Sequence, residues 1–358
     1  MLFFYYNYFS ITHFLSNNSF FYNCINLSNK LVGDLDLMKI RSFAPGKVIL
    51  FGEHSVVHGR PAIAVAISEG VQVELVPRDD NSIKVCVPSI DYEMNTELNE
   101  GKLDYDAAHG KMITDYIYEV ISLFEFDKGF DLNVDIRMYL GVGLGSSAAV
   151  TVSTLKAVSI YAGKEYSKED IADIARDVEV TVQGSASPLD TSMSTYGGMI
   201  YIDENSERNR VECNCQLPLV VVNSGISANT GVLVENVRKR YEKYPLIVGD
   251  IFSSMEAVAN TARNAFIEGD LDVIGDLMNI NQGLLDSLGV NTDILSQMVY
   301  DARLYGAQGS KLTGSGGGGC IIAVCPDNID EVYDKLSQKY ATFKCEISDE
   351  GVHAEIIE

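Results

Sequence analysis

The stretch Gly141-Val142-Gly143-Leu144-Gly145-Ser146-Ser147-Ala148 decides how this chain is read. Three glycines at alternate positions, followed by two hydroxyls and a run of small residues, can build a cradle for phosphate. Glycine admits positive φ and lets a ligand come close to the main chain, so successive N–H groups can converge on one anion. Residues 146 to 161 read as a helix that follows at once. Ala148, Ala149, Leu155, Ala157 and Val158 are helix-compatible or apolar, and Ser146 or Ser147 can cap its start. An anion seated there meets the positive end of a helix dipole and its free donors. A nucleoside triphosphate is the natural guest, and a flexible turn is the competing reading. No G-x-x-x-x-G-K-S/T occurs, since Gly46-Lys47 is followed by Val48 and Lys311 by Leu312. The dinucleotide fingerprint fails too, lacking its third glycine at the required spacing and an acidic residue at the end of a following strand. A phosphate loop here is of a third kind.

A chain of 358 residues has room for two domains, and 46% hydrophobic with 22% charged residues is ordinary globular composition. Against 27 Lys+Arg stand 50 Asp+Glu, a formal charge of −23, which argues against nucleic acid or an anionic membrane as partner. So acidic a protein must build positive potential locally to hold a nucleotide, through helix termini, a few lysines and a bound Mg²⁺. The seven cysteines are odd in number and form no C-x-x-C pair, so neither a disulfide framework nor a zinc site is indicated and the cytoplasm is the expected location. Cys213-x-Cys215, with no second pair nearby, reads as structural. Residues 1–37 differ from the rest: no Lys, Arg, Asp or Glu precedes Lys30, and Phe, Tyr and Asn dominate. Without a basic start or a long apolar run, they read as an upstream start or a poorly ordered extension, with an extra packed hairpin or an oligomer contact as the alternative, rather than a signal peptide or membrane span.

From Met38 the pattern is strand-like, with Ile40 to Ala44, Val48 to Phe51, Ala62 to Ile67 and the alternating Val71, Val73 and Leu75. A helix is expected over 106–126, a strand over Phe130 to Met138, then the glycine loop and its helix. Ser167-Lys168-Glu169-Asp170 has a capping-box shape and opens a helix whose apolar stripe Glu179 borders. A carboxylate there needs a partner. Residues 185–190 read as a loop, and the polar stretch Asp203 to Arg210 as the best domain boundary. The second half opens on a strand from Leu217 to Asn223. Helices are expected over 232–242, 250–267, 270–286, 291–304 and 328–339, with strands over Cys320 to Val324 and a last strand pair near 342–347 and 351–357. That plan suggests an α+β sandwich.

Three blocks carry a resemblance. Pro45-Gly46-Lys47-Val48-Ile49-Leu50-Phe51-Gly52-Glu53-His54 with Val56-Val57-His58-Gly59, the 141–149 loop, and Lys311-Leu312-Thr313-Gly314-Ser315-Gly316-Gly317-Gly318-Gly319 resemble the three motifs of the GHMP kinases, in order, across residues 39–357. Within that superfamily, Glu53-His54-Ser55-Val56-Val57-His58-Gly59 is similar to the mevalonate kinases rather than to galactokinases, homoserine kinases or phosphomevalonate kinases. Gln183-Gly184-Ser185-Ala186-Ser187-Pro188-Leu189-Asp190 looks like the archaeal form, and Tyr139-Leu140 stands where many members place proline.

The resemblance implies a two-domain α+β fold: a ribosomal protein S5 domain 2-like ATP-binding domain over 38–212 and a ferredoxin-like α/β sandwich over 213–358. It implies ATP and mevalonate as substrates, Mg²⁺ as cofactor, and a homodimer. Gly141, Gly143, Leu144, Gly145, Ser146, Ser147 and Ala148 would hold the nucleotide. Asp190 would be the catalytic base and Lys47 its partner, keeping it ionised and stabilising charge on the reacting oxygens. Ser147 and Glu179 would hold the metal, with Ser146 the competing hydroxyl. Glu53 and His54 would face the acceptor, His54 donating to its hydroxyl or carboxylate, with Thr230, Gly314 and Ser315 completing that side. Another small-molecule kinase of the superfamily, or a nucleotide-binding sensor without catalysis, are the alternatives.

Overall fold

The computed structural model describes residues 39–103, 113–184 and 186–357. The 1–37 segment, the start of the helix expected from 106, and Ser185 lie outside the described residues. Two sheets organise the fold. The larger begins with β1 (Lys39–Phe51) and β2 (Ala62–Pro77), a long antiparallel pair, and continues through β3 (Ser82–Val87), β4 (Tyr92–Asn99), β5 (Lys102–Leu103) and β6 (Phe130–Ile136). β7 (Met199–Ile202) and β8 (Arg208–Val211) form a hairpin on β2. The order is β13-β1-β2-β6-β3-β4-β5, where β13 (His353–Ile357) is the last strand of the chain. Alternation explains these strands: in β3, Ile83, Val85 and Val87 are buried while Ser82, Lys84 and Cys86 are not.

Helices α1 (Ile113–Ser122), α2 (Ser146–Tyr161), α3 (Lys168–Gln183) and α4 (Pro188–Tyr196) accompany this sheet. α2 is apolar or small on every side and buried along most of its length, as expected of a helix at the centre of a domain. Its Val150, Val152, Leu155 and Val158 are fully buried, each contributing roughly 2 kcal/mol. Ser42 on β1 donates to the Ser153 carbonyl at 2.7 Å, which joins sheet to helix without burying an unpaired hydroxyl. α3 starts as the sequence suggests: Ser167 accepts from the Asp170 amide, and the Asp170 carboxylate accepts from the Ser167 amide.

The smaller sheet holds β9 (Leu219–Asn223), β10 (Gly309–Leu312), β11 (Cys320–Val324) and β12 (Ala341–Cys345) in the order β10-β11-β9-β12. Helices α5 (Thr230–Lys243), α6 (Pro245–Glu268), α7 (Leu271–Ser287) and α8 (Asp293–Leu304) lie between β9 and β10, and α9 (Ile329–Ser337) between β11 and β12. This is the ferredoxin-like arrangement, an α+β fold as expected. No described helix is long and apolar enough to cross a membrane.

Three expectations are corrected. The stretch 203–210 is no linker, because Met199–Ile202 pairs with Arg208–Val211 across it. The last two strands do not pair with each other. β12 joins the small sheet, whereas β13 crosses back to β1, pairing Lys39 with Ile357 and Phe43 with His353, so the terminal strand belongs to the first domain's sheet. Residues 188–196 are helical, with Pro188 in the first turn, where its missing N–H costs nothing. Strands β3, β4 and β5, read as nothing in particular from the sequence, extend the large sheet.

Candidate active site

The cleft lies where the glycine loop, β1, α4 and the second glycine-rich segment meet. β1 is interrupted by a register shift between Pro45 and Gly46, and such bulges re-aim the residue that follows. Lys47 comes next. Its amide donates to the Leu144 carbonyl at 2.8 Å and its ammonium to the Gly143 carbonyl at 3.0 Å. Strand and loop are thereby held together, with the lysine 4% exposed. A Cβ at Gly46 would stand 2.6 Å from Met138 Cε and 3.1 Å from the Leu144 carbonyl oxygen that accepts from Lys47, so a side chain there would crowd the junction.

Gly145 takes the cap position of α2 at φ 72°, so the expectation that Ser146 or Ser147 caps this helix is corrected. Both serines are helical. The first bond of the helical ladder runs from the Ala149 amide to the Gly145 carbonyl; the amides of Ser146, Ser147 and Ala148 precede it and no side chain caps them. The side chains of Leu144 and Ala148 are buried in the core, so these two can serve a ligand through the backbone alone.

Asp190 sits in the first turn of α4, its Oδ1 3.5 Å from Lys47 Nζ. The two expected catalytic residues, 143 positions apart, are therefore neighbours. Ser147 donates to Glu179 Oε1 at 2.8 Å, so of the two hydroxyls left open by the sequence, Ser147 is the one set beside the carboxylate. Glu179 is buried, and no Lys or Arg among the described residues forms an ion pair with it. Desolvation pushes its carboxyl up to about 7; the Ser147 hydroxyl and Lys47 oppose the shift, and Asp190 adds to it. One hydroxyl and one hard carboxylate short of counter-charge suit Mg²⁺, which takes oxygen ligands and completes its sphere with phosphate and water.

Across the cleft, Glu53 and His54 follow β1. Glu53 is 1% exposed and forms a buried ion pair with Lys311 of β10, while Asn281 of α7 donates to its other oxygen at 3.2 Å. Its carboxylate is committed to tying the two domains together. His54 adopts φ 63°, a strained value for a residue with a side chain. Its Nε2 lies 2.9 Å from the Ser315 carbonyl, which can only accept, so that nitrogen carries the proton. Burial holds the ring below its ordinary histidine value, leaving neutral imidazole with a buried Nδ1 that has no partner among the described residues. In this structure Nε2–H is given to the Ser315 carbonyl, which leaves Nδ1 as an acceptor, the opposite polarity to the donor role the resemblance implies.

Thr230, at the start of α5, lies 3.1 Å from Ser315 by their hydroxyls. Gly314 follows Thr313, whose hydroxyl donates to the Ile49 carbonyl and accepts from the Ile49 amide, both at 3.0 Å. A cavity of about 330 Å³ is lined by Lys47, His54, Gly143, Asp190, Thr230 and Ser315. A second, of about 890 Å³, shares Asp190 and Thr230 with it and reaches Ser147 and Glu179. The smaller cavity also has an apolar wall from Val56, Val57, Leu189 and Val234. That wall, the Thr313 clamp and the Lys311–Glu53–Asn281 cluster were not anticipated as features of the site. Lys311 beside Leu312 was the one available hint, a cation entering an apolar strand.

Two family descriptions match in order: GHMP kinases N terminal domain over residues 115–198 and GHMP kinases C terminal over 262–342. The mevalonate kinase of Methanothermobacter thermautotrophicus is 40% identical over 315 residues, covering 88% of this chain and 100% of its own. Among solved structures, the Methanococcus jannaschii mevalonate kinase superposes with a TM-score of 0.75 at 31% identity, over 87% of this chain and 98% of its own. L. major mevalonate kinase in complex with R-mevalonate gives 0.73 at 26%, over 86% and 95%. With both domains matched in order and a relative aligned along its whole length, the chain belongs to the GHMP kinases, in the mevalonate kinase family.

Proposed function

We propose that this cleft transfers the γ-phosphoryl group of ATP to the 5-hydroxyl of (R)-mevalonate, giving 5-phosphomevalonate and ADP. The observation that supports it best is the position of Lys47, bonded to the glycine loop on one side and 3.5 Å from Asp190 on the other. A lysine so placed joins the group that would hold the phosphates to the group that would receive a proton. In this reading the amides of Ser146, Ser147 and Ala148 bind phosphate oxygens at the positive end of α2. Asp190 accepts the hydroxyl proton as the oxygen approaches phosphorus, and Lys47 offsets negative charge on the transferring group. Phosphoryl transfer asks for position and charge neutralisation more than covalent help, and no enzyme-bound intermediate is needed.

Ser147 and Glu179 are the residues that would hold Mg²⁺, which when bound supplies charge neutralisation at the phosphates. On the acceptor side, the His54 Nδ1 lone pair accepts from a hydroxyl and the wall of Val56, Leu189 and Val234 takes a methyl or methylene group. Two copies pairing as a homodimer belong to the same reading, and sedimentation equilibrium tests that part.

The decisive experiment pairs steady-state assays with nucleotide binding in Asp190→Asn. Turnover is expected to fall by roughly 10³-fold or more, while ATP binding measured by calorimetry stays within about threefold of the parent. Near-normal turnover removes Asp190 from the base role, and absence of mevalonate-dependent ADP release in the parent removes the activity.

A further inference from the structure

Away from the cleft, Cys213 and Cys215 stand on the segment that joins β8 to β9. Their sulfur atoms are 3.2 Å apart, and the Cys213 thiol also reaches the Cys215 carbonyl at 3.3 Å. The arrangement has a visible cause. Asn214, between them, faces the other way and is fastened to the end of α6: its amide donates to the Phe266 carbonyl at 3.1 Å and its side chain to the Ile267 carbonyl at 2.7 Å. Residues 212–216 alternate between exposed and half-buried, so fixing the middle residue on one side holds both thiols together on the other.

Three other described cysteines are differently placed. Cys320, Cys325 and Cys345 are buried in the core, and burial pushes the first two up to about 12 and the third higher; such thiols are inert. Cys213 is only half-buried, and the hydrogen bond from the Cys215 thiol holds it below the ordinary cysteine value, while the Cys215 thiol is pushed up in turn.

We propose that Cys213 and Cys215 form a redox-active dithiol that exchanges with low-molecular-weight disulfides. The Cys213 thiolate attacks one sulfur of the small disulfide, breaking its S–S bond and releasing one small thiolate. The Cys215 sulfur, after giving up its proton, attacks Cys213 Sγ in the mixed disulfide, forming the Cys213–Cys215 bond and expelling the second small thiol. The protein loses two electrons and two protons, and the small disulfide gains them as two thiols. Excess small thiol reverses both steps.

Trypsin cuts after Arg210 and Arg238, and the peptide between holds these two cysteines and no other. Full-length protein treated with oxidised glutathione, alkylated and digested should yield this peptide unalkylated and lighter by two hydrogens, and dithiothreitol should restore the dithiol. Cys215→Ser should stop at a glutathione adduct on Cys213, and Cys213→Ser should react roughly tenfold or more slowly at this peptide. The half-buried Cys86 of β3 supplies a reference in the same sample. The proposal is overturned if the wild-type peptide stays reduced while Cys86 is already modified, if a glutathione adduct persists in place of the internal bond, or if Cys213→Ser reacts at the wild-type rate. Should that variant fail to fold, the wild-type mass shift alone decides.

Discussion

Replacing Lys311 with methionine tests how much the two domains depend on one buried charge pair. Lys311 is 0% exposed and Glu53 1%. The ammonium donates to Glu53 and, at 2.6 Å, to the Leu312 carbonyl, while Asn281 holds the second carboxylate oxygen. At contact distance and an effective dielectric of about 20, the attraction is on the order of 5 kcal/mol, against which desolvation of both ions must be set. Removing one partner forfeits the attraction and keeps the desolvation cost of the other. Lys311→Met is therefore expected to lose about 3–5 kcal/mol in urea denaturation followed by circular dichroism.

The pH dependence separates this account from a simple packing defect. An orphaned carboxylate escapes its burial by binding a proton that the unfolded chain has released, so the variant's stability falls as pH rises, by up to about 1.4 kcal/mol per unit. Glu53→Gln orphans the lysine instead. Burial already holds Lys311 below the ordinary lysine value, so on the alkaline side the unfolded chain binds more protons and stability rises with pH. A Lys311→Met loss below about 1 kcal/mol at pH 8, or slopes of one sign in both variants, would refute the reasoning.

Three further tests address the cleft. Because the Glu179 carboxyl is raised from 4.5 to about 7, the folded chain holds a proton there that the unfolded chain has lost, and stability falls as pH rises through that window. Without nucleotide or divalent cation, Glu179→Gln should be more stable than the parent at pH 8 by about 3 kcal/mol and no more stable near pH 4.5, and a pH-independent difference in melting would contradict this. Gly145→Ala forces a side chain to φ 72° with its Cβ 3.0 Å from Lys47 Cγ. A loss of about 1–2 kcal/mol is expected, with kcat reduced more than KM is raised; unchanged kcat would detach Lys47 from catalysis. Thr313→Val strips Ile49 of both hydrogen bonds across the domains and should cost about 1–3 kcal/mol, read as a lower urea midpoint with unchanged slope.

What could be read from the sequence was what short stretches decide by themselves. The glycine loop and α2, the capping box at Ser167 and Asp170, and the helical stripes of the second half depend on neighbours within a few turns, where periodicity and capping chemistry act. The motif blocks and their order identified the superfamily. Alternation in β3 was equally local, yet six residues with one polar face carry too little pattern to stand out without a partner strand. Nothing in residues 353–357 announces a pairing with β1, since a strand's sequence sets its faces and leaves its partner open.

Only the tertiary structure decided which distant groups meet. It set Lys47 3.5 Å from Asp190 and Ser147 beside Glu179, pairings the motif resemblance had only implied, and it spent the Nε2 proton of His54 on a backbone carbonyl. Lys311 found Glu53 across 258 positions and Thr313 found Ile49 across 264. Those pairings are selected by burial, which makes any polar group without a partner costly, and burial is a property of the assembled layers rather than of any window of sequence.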